Sequence, residues 1–221
     1  ISMVGGLLQA FGARRALLLV GETASVGPYE MAPLFGDAGT ASALERVLGA
    51  SPIYTDMATD GSGAGVIRQK RGGYRHPYTE DTKFTEVAPG IVIPEAEFEL
   101  DGIEVFNFSV REVPPAVNEL LAFAETAPDD VDAFVFHQAN GMINDMIRKL
   151  LRLRPERVPG TLDEFGNTSS ASIPLTMVAR LREPLISDPM TLLLCGFGVG
   201  LSWCTVLLET DGIVCPEVIE L

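Results

Sequence analysis

The chain has 221 residues, of which 47% are hydrophobic, enough for a sizeable core and too many for wholesale disorder. Thirty acidic residues against sixteen basic ones give a net charge of −14, which argues against a general binder of nucleic acid or anionic membrane. Three cysteines without metal-ligand spacing and only two histidines argue against a disulfide scaffold or a metal site, and make a reducing cytoplasm the expected compartment.

In chain order, Met3 to Phe11 reads as a helix. Ala16-Leu17-Leu18-Leu19-Val20-Gly21 reads as a buried strand, apolar throughout as interior strands of parallel sheets are. A loop with Pro28 and Pro33 follows, then Leu34-Phe35-Gly36-Asp37 and a strand-like run from Thr40 to Leu44. Ile53 to Thr59 is a further candidate strand. Residues 60–90 are rich in Gly and charge, lack periodicity and read as loop or cover, with His76 in a loop. Val105 to Val110 reads as a strand or extended segment, Pro115 to Glu125 as a helix and Val131 to Phe136 as a strand. Met142 to Leu151 pairs apolar residues at helical spacing. Ile173 to Leu181 reads as a helix, with strands expected at Thr191–Cys195 and Ser202–Leu208.

Thr191 to Leu208 carries no charge and contains Gly196-x-x-x-Gly200, a pattern also found where membrane helices meet. Gly196, Gly198 and Gly200 cluster at its centre, with β-branched and aromatic residues after them. Two buried strands joined by a Gly-rich turn are therefore expected, and no membrane span. The same glycines do not make a dinucleotide fingerprint, because the third comes one position early and a strand follows where a helix is required.

A faint internal repeat is visible. A helix, a Leu-Leu-Leu-Val-Gly strand and a Phe-Gly-Asp-Ala-Gly turn precede Glu45; a helix, a Leu-Leu-Leu-Cys-Gly strand and a Phe-Gly-Val-Gly turn precede Glu209. Duplicated halves, 1–100 and 101–221, would give buried sheets separated and covered by helices.

Two short motifs carry the chemistry. His137-Gln138-Ala139-Asn140 directly follows an apolar strand, the end at which open α/β sheets gather ligands. Gly166-Asn167-Thr168-Ser169-Ser170 lies 30 residues further on, ahead of a helix. A lone His at a strand end is most often a satisfied core residue, and Asn, Ser and Thr ahead of a helix are often caps. Together, a neutral imidazole and a carboxamide in one cleft can both donate to a developing oxyanion. Arg148, Lys149, Arg152, Arg154 and Arg157 put five of the 16 basic residues in ten positions. They are either a solvated helix face or a landing patch for an acidic carrier or a cofactor phosphate. Cys195, Cys204 and Cys215 lie in or after apolar strands, where thiols are usually inert.

These motifs, with Leu34-Phe35-Gly36-Asp37, Pro174, Gly196-Phe197-Gly198-Val199-Gly200 and Trp203, resemble the β-ketoacyl-ACP synthase III family of the thiolase superfamily, over its C-terminal two-thirds. The resemblance implies an α/β, five-layered αβαβα fold, here lacking part of the N-terminal half, and a homodimer. It implies an acyltransferase of fatty acid or related polyketide biosynthesis that condenses a Cys-bound acyl group with malonyl-ACP and releases CO2. His137 and Asn167 would hold the enolate, and the Val199 backbone N–H would face the thioester oxygen. Arg148, Lys149 and Arg152 would receive the carrier and its phosphopantetheine. No permanently bound cofactor and no metal is implied; acyl and malonyl thioesters, on ACP or on CoA, are the substrates. No cysteine of this chain matches the family's nucleophile. Both the repeat and the family place it just ahead of the helix at Met3, before Ile1. Met142 stands where many members carry an Arg used for carrier docking, and Pro28-Tyr29-Glu30-Met31 where many carry an Asp-Arg-Ser-Thr that holds the CoA adenine, so CoA is the less expected donor. A thiolase-superfamily acyl transferase without decarboxylation and a non-catalytic partner subunit or fragment are the alternatives.

Overall fold

The computed structural model describes residues 1–23, 34–94 and 98–220. The Pro28/Pro33 loop and the Pro28–Met31 run lie outside the described residues.

The central element is a four-stranded mixed sheet. It comprises β3 (Tyr54–Thr59), β10 (Ser202–Asp211), β9 (Pro189–Gly198) and β8 (Ala133–Phe136), in the order β3-β10-β9-β8. β9 and β10 form the expected hairpin across the Gly-rich turn, with Ser202 opposite Gly198, and β8 runs parallel to β9. Among the described residues no helix is long and apolar enough to cross a membrane.

One face of this sheet is covered by α2 (Gly102–Phe123) and α3 (Gly141–Leu150). Phe108, Val117, Leu120, Phe134, Phe136, Ile143 and Leu193 fill that interface. The opposite face packs on α5 (Ser172–Ser187), through Val135, Leu185, Leu192, Leu194 and Val206. Beyond α5 lies a second sheet, β1 (Arg15–Thr23) paired antiparallel with β2 (Asp37–Glu45), and α1 (Ser2–Ala10) packs against β1. The described residues thus stack as α, β, α, β. In chain order, α1-β1-β2 and α5-β9-β10 are each a helix followed by an antiparallel strand pair.

Three sequence expectations are corrected. Among the described residues β1 has no parallel neighbour and is not fully buried. It pairs antiparallel with β2, and its residues alternate between exposed and half-buried, with Leu17 and Leu19 outward. Val105 to Val110 is not extended, because it is the start of α2. Asp101 Oδ1 accepts from the Ile103 and Glu104 N–H groups, which starts the helix ahead of the β-branched and aromatic residues. Within residues 60–90, Ile67–Gln69 (β4) and Phe84–Ala88 (β5) form short strands, paired antiparallel with Phe98–Leu100 (β7) and Ile91–Pro94 (β6) respectively. Three to five residues are too few for a readable alternation.

Candidate active site

His137 lies one step past the C-terminal end of β8, and its N–H continues the ladder to Cys195 O at 2.8 Å. β9 runs parallel beside it, so the end of β9 and the turn at Val199 share that edge. Phe197 of β9 meets the His137 ring edge-on, with centroids 5.5 Å apart.

The His137–Asn140 motif divides its work. Gln138 is buried and structural: its Nε2 donates to Phe136 O at 2.8 Å, and its Oε1 accepts from Thr161 N at 3.0 Å. This clamps the loop that leads through α4 (Leu162–Phe165) to Asn167. Asn140 caps α3, its Oδ1 accepting from Ile143 N at 2.9 Å. The Ala139 carbonyl accepts from Asn167 Nδ2 at 3.3 Å. Only the imidazole of this motif is left for chemistry.

Asn167 is held on three sides. Its Oδ1 accepts from Ser169 N at 2.8 Å, which orients the carboxamide with the NH2 toward Ala139; one N–H serves Ala139 O and the second remains for a ligand. Its backbone makes a parallel bridge with Phe35: Asn167 N donates to Leu34 O at 2.9 Å, and Gly36 N donates to Asn167 O at 3.0 Å. Gly166 permits this approach, with φ at +64°. The role of Leu34-Phe35-Gly36-Asp37 was invisible to sequence reasoning, since nothing local marks a partner more than a hundred residues away.

A polar chain joins the two candidate donors. Asn167 Oδ1 takes the Ser169 N–H, Ser169 O takes the Ser172 hydroxyl at 2.7 Å, and Ser172 Oγ lies 2.8 Å from His137 Nδ1. His137 and Asn167 therefore belong to one constellation. Ser169 has φ at +49°, an uncommon backbone state for a residue with a side chain. Desolvation pushes the His137 pKa down to about 4, opposed by the Ser169 carbonyl, so the ring is neutral at pH 7.

That shift has a consequence for stability. The folded value lies below the ordinary one of 6.5, so the contribution is fully present above pH 6.5 and is lost as pH falls through 4. The expected loss is up to about 3 kcal/mol. Denaturant titrations of the intact protein and of His137→Gln between pH 7 and pH 4 should converge at acid pH. A constant gap would show that the ring is not held neutral.

The basic cluster is not a uniform patch. Arg148 Nη2 lies 2.6 Å from Asp145 Oδ1, and its Nη1 donates to Leu153 O at 3.2 Å. Arg157 donates to the carbonyls of Pro128, Asp129 and Val131. Both are spent on structure. Lys149, though paired with Asp145, and Arg152 are exposed. Val199 is exposed in its turn. A cavity of about 310 Å³ is lined by Val178, Arg180, Arg182, Glu183 and Glu217 among others, and by none of the candidate catalytic residues. Burial pushes the Cys195 and Cys204 thiols up, which keeps them protonated and unreactive. Among the described residues no group of three or more His, Cys, Asp or Glu is placed to hold a metal ion.

Two sheets separated by α5, with an imidazole past one strand and a carboxamide ahead of the helix behind it, define a thiolase-like α/β protein. Residues 121–210 match the family model described as 3-oxoacyl-[acyl-carrier-protein (ACP)] synthase III C terminal. A β-ketoacyl-[acyl-carrier-protein] synthase III from Gloeobacter violaceus is 34% identical over 174 residues, covering 79% of this chain and 51% of its own. The crystal structure of a 3-oxoacyl-(acyl-carrier protein) synthase from Burkholderia xenovorans is 35% identical with a TM-score of 0.84, over 98% of this chain and 62% of that one. The priming β-ketosynthase of the R1128 polyketide pathway superposes with a TM-score of 0.78 at 29% identity, over 96% of this chain and 62% of that one. The chain belongs to the 3-oxoacyl-[acyl-carrier-protein] synthase III family and covers its C-terminal part. It spans about half the length of the Gloeobacter relative.

Proposed function

We propose that the intact protein is a decarboxylating condensing enzyme. It would join an acyl group, carried on a Cys outside these 221 residues, to malonyl-ACP in fatty acid or related polyketide synthesis. The observation that carries this reading is the hydrogen-bonded chain from Asn167 through Ser169 and Ser172 to His137.

Loss of CO2 from the malonyl thioester leaves an enolate, and its oxygen receives Nε2–H of His137 and the second N–H of Asn167 Nδ2. A neutral ring keeps one N–H to donate and avoids the desolvation cost of a buried cation. The enolate carbon then attacks the acyl-Cys carbonyl. A carbon–carbon bond forms, the carbon–sulfur bond breaks, and the Cys leaves as thiolate. The Val199 N–H stabilises the oxyanion of that step. Incubation with an acyl donor and malonyl-ACP should give a 3-oxoacyl product two carbons longer, with one CO2 released, by mass spectrometry. Acyl transfer without extension would favour a non-decarboxylating transferase, and no turnover an inert partner subunit.

The carrier is the expected donor of the malonyl group, with ACP docking near the end of α3. We assign the protein to the cytoplasm, in keeping with its three free cysteines, and take it to be a homodimer on the family resemblance. Reversing charge at Lys149 and Arg152 together should raise KM for malonyl-ACP several-fold, leave kcat unchanged and weaken the salt dependence of KM. Equal KM values for variant and parent would move the docking site elsewhere.

A further inference from the structure

The Ser172 hydroxyl sits among three polar groups. The Gln138 N–H donates to its Oγ at 3.3 Å, Ser169 O lies 2.7 Å away, and His137 Nδ1 lies 2.8 Å away. Ser172 is only 1% exposed, so bulk water does not complete its bonding. A hydroxyl has a single proton to give. The Ser169 carbonyl can only accept, and Nδ1 accepts only when it carries no proton.

Two arrangements satisfy this geometry. In the first, Ser172 donates to Ser169 O, Nδ1–H donates to Ser172 Oγ, and Nε2 is a bare lone pair. In the second, the hydroxyl turns to Nδ1, and the proton of the neutral ring resides on Nε2. Resting on the reading of Nε2 as an enolate donor, we propose that Ser172 is the positioning residue that selects the His137 tautomer. Ser172 need not move its oxygen, because the Gln138 N–H anchors it in both arrangements. The ring is neutral in both arrangements: one proton leaves Nδ1 and one is gained at Nε2, so the proton count of the site does not change. Ser169 O loses the hydroxyl, and the substrate oxygen gains Nε2–H, so the second arrangement is favoured once that oxygen is present.

Removing the hydroxyl has a definite direction. In Ser172→Ala, Nδ1 loses the hydroxyl placed to donate to it, while the Ser169 backbone carbonyl, an acceptor that favours ring protonation, remains, so Nδ1–H becomes the preferred form. Nε2 then has no proton to give.

The test uses the intact protein and long-range 1H–15N NMR of the imidazole, with the His137 signals assigned by their loss in His137→Gln. Spectra are recorded with a malonyl-pantetheine amide, in which nitrogen replaces the thioester sulfur. The parent and Ser172→Thr should show Nε2 protonated, and Ser172→Ala should show Nδ1 protonated. Condensation should fall about a hundredfold in Ser172→Ala with acyl loading unchanged, and stay within a few-fold of parent in Ser172→Thr. Nδ1–H in the analogue-bound parent, or Nε2–H retained in Ser172→Ala, would overturn the inference. A shifted tautomer with an undiminished rate would leave Ser172 in control of the ring and sink the donor role of His137 instead. Should Ser172→Ala not fold, Ser172→Cys is read in its place. Its weakly donating thiol should give an intermediate rate and mixed tautomers, and a parent-like spectrum would count against the proposal.

Discussion

Alanine at Asn167 or at His137 in the intact protein should lower the condensation rate at least about a hundredfold and leave acyl loading of the nucleophile intact. Each variant removes one donor from an oxygen that gains charge in the transition state, a loss of about 3 kcal/mol. The split between half-reactions follows from placement. On the proposed mechanism, loading depends on the thiol and the backbone N–H at Val199, neither of which these side chains supply. Trapping the acyl-enzyme by mass spectrometry, beside the steady-state rate with malonyl-ACP, separates the two steps. The double variant should be less than additive, because both groups serve one oxygen. Full condensation activity in either single variant would remove that residue from the chemistry.

Gly36→Ala should damage the same step from a distance. An ideal Cβ on Gly36 would lie 1.9 Å from Phe165 O and 3.3 Å from Thr168 Cγ2. The first is a backbone atom and cannot rotate away. The two segments must separate, which strains or breaks the hydrogen bonds joining Gly36 and Leu34 to Asn167. Overpacking costs about 1–3 kcal/mol, and each lost bond about 1 kcal/mol more. Urea unfolding should show a lower midpoint, and the folded fraction should condense slowly while loading normally. Unchanged stability and condensation would mean that the bridge does not hold the carboxamide.

The pattern of residues made much of this legible. The hairpin across Gly196–Gly200 follows from clustered glycines between two uncharged apolar runs, and α3 from its apolar pairs. His137 and Asn167 stood out because each opens an unusual polar string beside an element end. What stayed hidden was long-range. α2 carries Pro114 and Pro115 in its interior, so its first half read as a separate extended piece. Packing of Phe108, Val113 and Val117 against the sheet keeps that helix continuous. The Gln138 clamp, the Ser172 bridge and the pairing of Phe35 with Asn167 join residues 23 to 132 positions apart, and no local periodicity encodes such a partner.

α5 lies between two sheets, and none of its first eight residues is exposed. Its first two turns are gripped from both sides and have no free flank along which to slide. The loop at its head is therefore a fixed mount, and small shifts of the scaffold cannot retune it.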